Sequence, residues 1–270
     1  MAYHAPVSAA ALAAGLSDPK DKLWEFNSIL KAGDAFHIGD FETGQNLLAQ
    51  VREKDPQMYV VPFMLGEAAL RRQNWQEAAA SFQKCLEFNP DFEQAITGLA
   101  HALFRLGNNT EAQQWLVKAL QYNPQNYRAL YELASIKAKT DKPGAVAVFE
   151  KAITIQPNFA PVRRELGVLQ CEQGEYADAA KNLAKAVELG VQEATVFNFL
   201  GISYSQTNRL QKGIASYKRA LEIDPGLAEA HLNLGFAYQQ LGRRQAALDE
   251  YAQACRLKEK FCKYTPKASR

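Results

Sequence analysis

The stretch FQKCLEFNP, residues 82–90, reads as the end of an amphipathic helix closed by Asn-Pro. It recurs as LVKALQYNP ending at Pro124, FEKAITIQP ending at Pro157 and YKRALEIDP ending at Pro225. Proline cannot donate a helical hydrogen bond and pushes the residue before it out of the helical region, so each copy stops a helix at the same point. Between the stops, a Leu followed by Gly or Ala recurs at 65–66, 99–100, 133–134, 166–167, 200–201 and 234–235, in steps of 34, 34, 33, 34 and 34. A second ladder sets a small residue four places before a large one: Ala78/Phe82, Ala112/Leu116, Ala145/Phe149, Ala179/Leu183, Gly213/Tyr217 and Ala247/Tyr251. One more step back lands on Gly44/Leu48, with Pro56 closing that unit. Two ladders in register over most of the chain define an internal repeat, and this period means stacked supersecondary units.

Each unit reads as two helices. In residues 93–106, Ile96, Leu99, Ala100 and Leu103 form one apolar stripe at helical spacing. GNNT (107–110) then breaks the helix, with Gly107 suited to a left-handed C-terminal position. The second helix carries Ala112, Leu116, Ala119 and Leu120 on one face. Gly or Ala lets two backbones approach, and a bulky residue one turn later fills the gap.

The spacing L-G…A-x3-F…P at period 34 resembles the tetratricopeptide repeat. LGEAALRRQNWQEAAASFQKCLEFNP (65–90) and LGFAYQQLGRRQAALDEYAQA (234–254) carry the likeness most fully. It covers seven units: 25–58, 59–92, 93–126, 127–159, 160–193, 194–227 and 228–261. The resemblance implies an all-α fold, a right-handed superhelical solenoid of antiparallel helix pairs. Residues 1–24 are expected to be an N-terminal extension able to form a capping helix, and 262–270 a basic C-terminal tail. Four local departures stand out. Unit one has Lys31-Ala32 in the Leu-Gly slot. Unit four is one residue short, in the turn KTDKPGA (139–145). Unit five ends without Pro, so Gly190 is expected to turn the chain. Unit seven has Glu259 in the Pro slot, so its last helix is expected to run on to Phe261.

Such units cannot bury their apolar faces alone; stacking builds the core and leaves a groove. The resemblance implies a non-catalytic protein- or peptide-binding scaffold whose groove is lined by each unit's first helix. The packing stripe uses unit positions 4, 7, 8 and 11, so the adjoining stripe faces the groove, with position 6 added by resemblance. Those slots hold Phe26, Ile29, Leu30, Phe36, Phe63, Met64, Leu70, Phe104, Tyr131, Phe199 and Phe236. A basic ladder at position 13 adds Arg71, Arg105 and Lys139; His101 falls either in the groove or in a plain surface or packing role. The expected contact set is Phe63, Met64, Arg71, His101, Phe104, Arg105, Tyr131 and Lys139. Aromatics and Arg suit a peptide with apolar and acidic groups. Asn stands at position 6 only at Asn233 and nowhere at position 9, so the Lys/Asn/Arg set with which some family members clamp a C-terminal carboxylate is not matched.

Other chemistry is not signalled. There is no G-x-G-x-x-G, G-x4-G-K-[ST], H-E-x-x-H or C-x-x-C pattern. His4, His37, His101 and His231 lack ligand spacing, and no cofactor or metal is expected. Charge is nearly balanced at +2; residues 256–270 hold a net +5, which leaves −3 elsewhere and no nucleic-acid footprint on the body. No apolar run is long enough for a membrane span. NNT (108–110) fits a glycosylation pattern but sits where capping residues are wanted. Cys255 and Cys262, seven apart on one expected helix, would lie about 10 Å apart along its axis and could not bridge.

SDPKDKLWEFNSIL (17–30) reads as a helix start, with Asp18 as cap and Pro19 at the first helical position. The junction resembles a D-P-K-D-like linker that joins a bacterial sulfatase domain to a repeat array. The alternatives to a free scaffold are therefore an accessory C-terminal domain of a larger enzyme and a self-assembling array. CKYTPKASR (262–270) is too short for a capping helix, so Tyr238, Tyr251, Leu257 and Phe261 are expected to leave an apolar face open to self-association through the last repeat. A cytoplasmic chain is expected, or an exported one if it belongs to a larger secreted protein.

Overall fold

The structure, a computed structural model, describes residues 23–265. The expected extension before Leu23, with the Asp18–Pro19 cap and the linker-like D-P-K-D, and the tail after Thr265 lie outside the described residues. Fourteen α-helices and one 3₁₀ segment make up the described chain, with no strand among them. They pair as α1 (Leu23–Ile38) and α2 (Phe41–Lys54), α3 (Val60–Arg71) and α4 (Trp75–Phe88), α5 (Glu93–Leu106) and α6 (Asn109–Tyr122), α7 (Tyr127–Lys137) and α8 (Lys142–Ile155). Then come α9 (Ala160–Glu172) and α10 (Tyr176–Glu188), α11 (Ala194–Gln206) and α12 (Leu210–Ile223), and α13 (Ala228–Gln240) and α14 (Arg244–Leu257), followed by the 3₁₀ segment Glu259–Tyr264. Seven helix pairs match the seven units. The chain forms two compact parts that divide after Glu132, within α7; each is an all-α solenoid of antiparallel pairs.

The two sequence ladders meet in space. A β-carbon placed on Gly66 would lie 2.8 Å from the Phe82 ring, and one on Gly201 or Gly235 would lie 2.5 Å from the ring of Tyr217 or Tyr251. Gly167 stands in the same relation to Leu183. The Leu-Gly ladder thus supplies the flat seat and the small-large ladder supplies the side chain that fills it. Phe82 and Ala78 are fully buried, as are Ala112, Leu116, Ala145 and Phe149. Phe82 also touches Gly98, in the first helix of the next unit. Unit one inverts the arrangement: Ala32 is buried in place of the glycine, and the Phe36 ring lies on Gly44 of α2.

Turns inside the pairs share one geometry. Gly39, Gln73, Gly107, Gly174, Asn208 and Gly242 all have positive φ. In each, the next amide reaches five residues back, as in Asn74 N–H to the Ala69 carbonyl (2.9 Å) and Arg209 N–H to that of Tyr204 (2.8 Å). This closes the free carbonyls of a helix end. Unit four breaks the series. No residue of its turn has positive φ, and Asp141 N–H reaches only four back, to the Lys137 carbonyl at 2.7 Å. The missing residue is the left-handed one. Asp141 then caps α8 by accepting from Gly144 N–H at 2.9 Å, a bond that holds its carboxyl below the usual range, with Lys137 adding to the effect. Gly190, at φ 97°, turns the chain after unit five as expected. Asn108 occupies the cap position of α6, yet its side chain makes no capping hydrogen bond.

The C-terminal end corrects three expectations. The last helix does not reach Phe261: α14 stops at Leu257, and Lys258 is extended at φ −142°, ψ 112°. The residues before the prolines, such as Asn89 at φ −138°, ψ 87°, adopt nearly the same backbone. Lys258 takes this backbone although no proline follows it. Because the chain folds back there, Cys255 and Cys262 come to a Cα separation of 4.4 Å and form a disulfide; a straight helix would have kept them apart. The same turn covers the end of the array. Phe261 is buried in a cluster with Leu234, Tyr238, Tyr251 and Ala254, and of the four side chains expected to be open only Leu257 is exposed.

Candidate functional site

The expected contact residues divide by burial. In the part before Leu133, Phe63 is 2% exposed. Its ring lies edge-on to Phe92 at 4.9 Å and tilted on Phe82 at 6.0 Å. Met64 is buried as well. His101 is 6% exposed and shares a 2.5 Å hydrogen bond between its Nδ1 and Oε1 of Glu132, itself 3% exposed. The edge of Trp75 meets the His101 ring at 5.8 Å. Phe63, Met64 and His101 are thus buried in the described structure. The basic ladder is open but engaged. Arg71 Nη1 donates to the carbonyl of Phe36 in the last turn of α1 at 3.2 Å, a cap on that helix end. Arg105 lies over the Trp75 ring at 4.1 Å. Phe104 and Tyr131 are half-buried, and Lys139, beyond the division, is exposed.

In the part after Glu132 the first helices of units six and seven leave an open cavity of about 520 Å³. Ile202, Ser205 and Gln206 of α11 form one wall, Asn233, Phe236, Ala237, Gln239 and Gln240 of α13 the other, and Tyr217 of α12 the floor. None of these side chains is charged. Burial pushes the Tyr217 phenol up to about 12, so it stays neutral and lies 3.4 Å from the Ser205 hydroxyl. Asn233 Nδ2 donates to Asn198 Oδ1 at 2.9 Å, which fixes the amide. Gln239 Oε1 accepts from the Tyr251 hydroxyl at 2.6 Å. Phe236 is 37% exposed and lies edge-on to Tyr251 at 5.4 Å. The arrangement offers amides that both donate and accept beside one aromatic face. Among the described residues, no group of three His, Cys, Asp or Glu side chains could hold a metal ion, and no helix is long and apolar enough to cross a membrane.

Sequence reasoning placed Phe236 in the groove and noted Asn233, but it did not single out this end. The signal was present: Asn198 and Asn233 fall in the slots that Phe63 and Met64 occupy in unit two, and Phe236 in that of His101.

Paired helices in 34-residue register with an open first-helix surface define a helical-repeat solenoid. Family models described as tetratricopeptide repeat match residues 30–91, 69–133 and 228–261, and one described as TPR repeat matches 201–242. The chain belongs to the tetratricopeptide-repeat family. It is 27% identical over 162 residues to Protein CTR9 homolog of Arabidopsis thaliana, a match covering 57% of this chain and 15% of that protein. It is 26% identical over 146 residues to a UDP-N-acetylglucosamine–peptide N-acetylglucosaminyltransferase of Giardia intestinalis, covering 51% of this chain and 10% of that one. The match therefore spans only a small part of these relatives' length. Among solved structures, YrrB, described as a TPR protein with an unusual peptide-binding site, superposes with a TM-score of 0.58 at 19% identity, covering 68% of this chain and 95% of that one. That likeness is one of fold.

Proposed function

We propose that this protein is a non-catalytic scaffold that holds an extended, uncharged peptide segment of a protein partner between α11 and α13. Tetratricopeptide arrays are protein-interaction scaffolds, and YrrB shares the fold. The observation that carries the site is the neutral, amide-lined cavity with Phe236 in its wall. A peptide backbone presents alternating N–H and C=O groups, which Asn233, Gln206, Gln239 and Gln240 can answer in both senses. Phe236 supplies area for one apolar side chain. An acidic partner has less support, since Arg71 already donates to Phe36 and Arg105 already lies on Trp75.

The test is titration of a panel of uncharged peptides, with affinity followed against salt. Ion-pair contacts weaken as salt screens them. Binding here should change less than about two-fold between ~50 and ~500 mM salt and fall about ten-fold in Phe236→Ala. A steep salt dependence, or equal binding by the variant, would move the site elsewhere. The relatives' greater length favours a second reading, an accessory array within a larger protein, which a transcript continuing past either end would support. Self-assembly through the last repeat would show as a concentration-dependent mass in solution.

A further inference from the structure

The 3₁₀ segment Glu259–Tyr264 behaves as a strap across the end of the array. Its backbone bonds are local: Phe261 N–H to the Lys258 carbonyl and Thr265 N–H to that of Cys262. Six residues of 3₁₀ helix form a weak element by themselves. The strap is held to α14 and α13 by three things. One is the Cys255–Cys262 disulfide. Another is Phe261, buried against Tyr238 and Tyr251. The last is Tyr264, edge-on to Phe236 at 5.2 Å and 6.2 Å from Tyr251. Phe236 is therefore shared: the Tyr264 ring lies on it, and it also forms part of the cavity wall.

We propose that the Cys255–Cys262 disulfide is a redox latch that locks this strap onto the last repeat, and that its reduction frees the strap and uncovers the aromatic wall of the groove. The reductant is a dithiol. The S–S bond breaks, each cysteine sulfur gains one electron and one proton, and the dithiol gives up two of each as it closes to its own disulfide. Both cysteines of the latch are only partly buried, so a reductant can reach them. The other two thiols cannot interfere. Cys85 and Cys171 are buried, burial pushes the Cys85 thiol up to about 12 and raises that of Cys171, and exchange needs a thiolate. With the covalent closure gone, Phe261 and Tyr264 must hold the segment, and a short 3₁₀ element held by so few contacts opens locally. Tyr251, Tyr238 and the covered side of Phe236 then face solvent. The effect on binding rests on the peptide-groove reading above: a freed Phe236 should accept a larger apolar side chain.

The experiment compares the full chain after mild oxidation and after treatment with a dithiol. Alkylation and mass spectrometry identify the paired cysteines, and amide hydrogen exchange is followed over residues 259–265. Oxidised protein should show Cys255 and Cys262 protected from alkylation, and reduction should speed exchange in the strap about ten-fold or more. Cys255→Ser with Cys262→Ser should exchange at the reduced rate whether or not the dithiol is present. Cys85→Ala with Cys171→Ala should keep the full response. A different pairing, or equal exchange in both states, overturns the latch. Peptide affinity is read in the same two samples, and reduction should raise it for peptides with a bulky apolar residue. Exchange that responds while no peptide binds either state supports the latch and overturns the groove reading.

Discussion

Units two and six carry the same helix pair, yet they spend the same slot differently. In unit two the slot holds Phe63, which disappears between Phe82 and Phe92. In unit six it holds Asn198, whose amide oxygen accepts from Asn233 of the next unit. The residue that roofs Phe63 also changes, from Phe92 to Leu227 at the matching position. An aromatic in that slot, given an aromatic roof, packs into the core; the amide there is buried as well, at 7% exposed, but spends its oxygen on Asn233 of the next unit. The comparison shows that slot and occupancy are separate questions. The repeat sets the slot, while the neighbour one unit on decides what the buried side chain packs or bonds against.

The most direct way to break this comparison is to truncate both aromatics. Phe63→Ala should cost about 3–5 kcal/mol, as for other buried phenylalanines, and Phe236→Ala about 1 kcal/mol or less, since much of its ring is already in water. Chemical denaturation of the two variants measures both; similar losses would mean that Phe236 is core and the cavity is not an open surface. Next come the glycine seats. Gly66→Ala and Gly235→Ala drive a methyl to 2.8 and 2.5 Å from a ring, and each should cost about 1–3 kcal/mol. If the ring contact is general, the two losses will be alike although one ring is Phe82 and the other Tyr251. A loss in one and none in the other would show that the two halves pack their rings differently. The smallest effects belong to the left-handed turns that lack glycine. Gln73→Gly should stabilise by about 0.5 kcal/mol, and Asn208→Gly by less, because Asn tolerates this backbone better than Gln. Thermal melts of both single variants decide it, and a destabilising Gln73→Gly would mean that the Gln side chain contributes more than its backbone costs.

Much of this was legible in the sequence because period and small-residue slots are direct records of helix packing. The helix pairs, the Gly107 and Gly190 turns, and the irregular turn of unit four followed from spacing alone. The burial of Phe63 did not, because it depends on Phe92, a residue outside the helix that carries the slot. The disulfide escaped for a related reason. Glu259 carries no local stop signal, and only the turn at Lys258 brings Cys255 to Cys262. His101 gave no sign of its partner, since Glu132 lies 31 residues on and reaches it only once the units stack.

Phe82 lies on two seats at once, Gly66 in its own unit and Gly98 in the next. During synthesis this sets a schedule. When residue 92 leaves the ribosome, the ring has its first seat but half of its cover is not yet made. Only after the next helix emerges can the contact close, so ordered structure around Phe82 trails the growing chain by one helix. Nascent chains arrested with residue 92 just outside the ribosome should therefore be cut readily around Phe82 by protease, and those arrested with residue 106 well outside should resist.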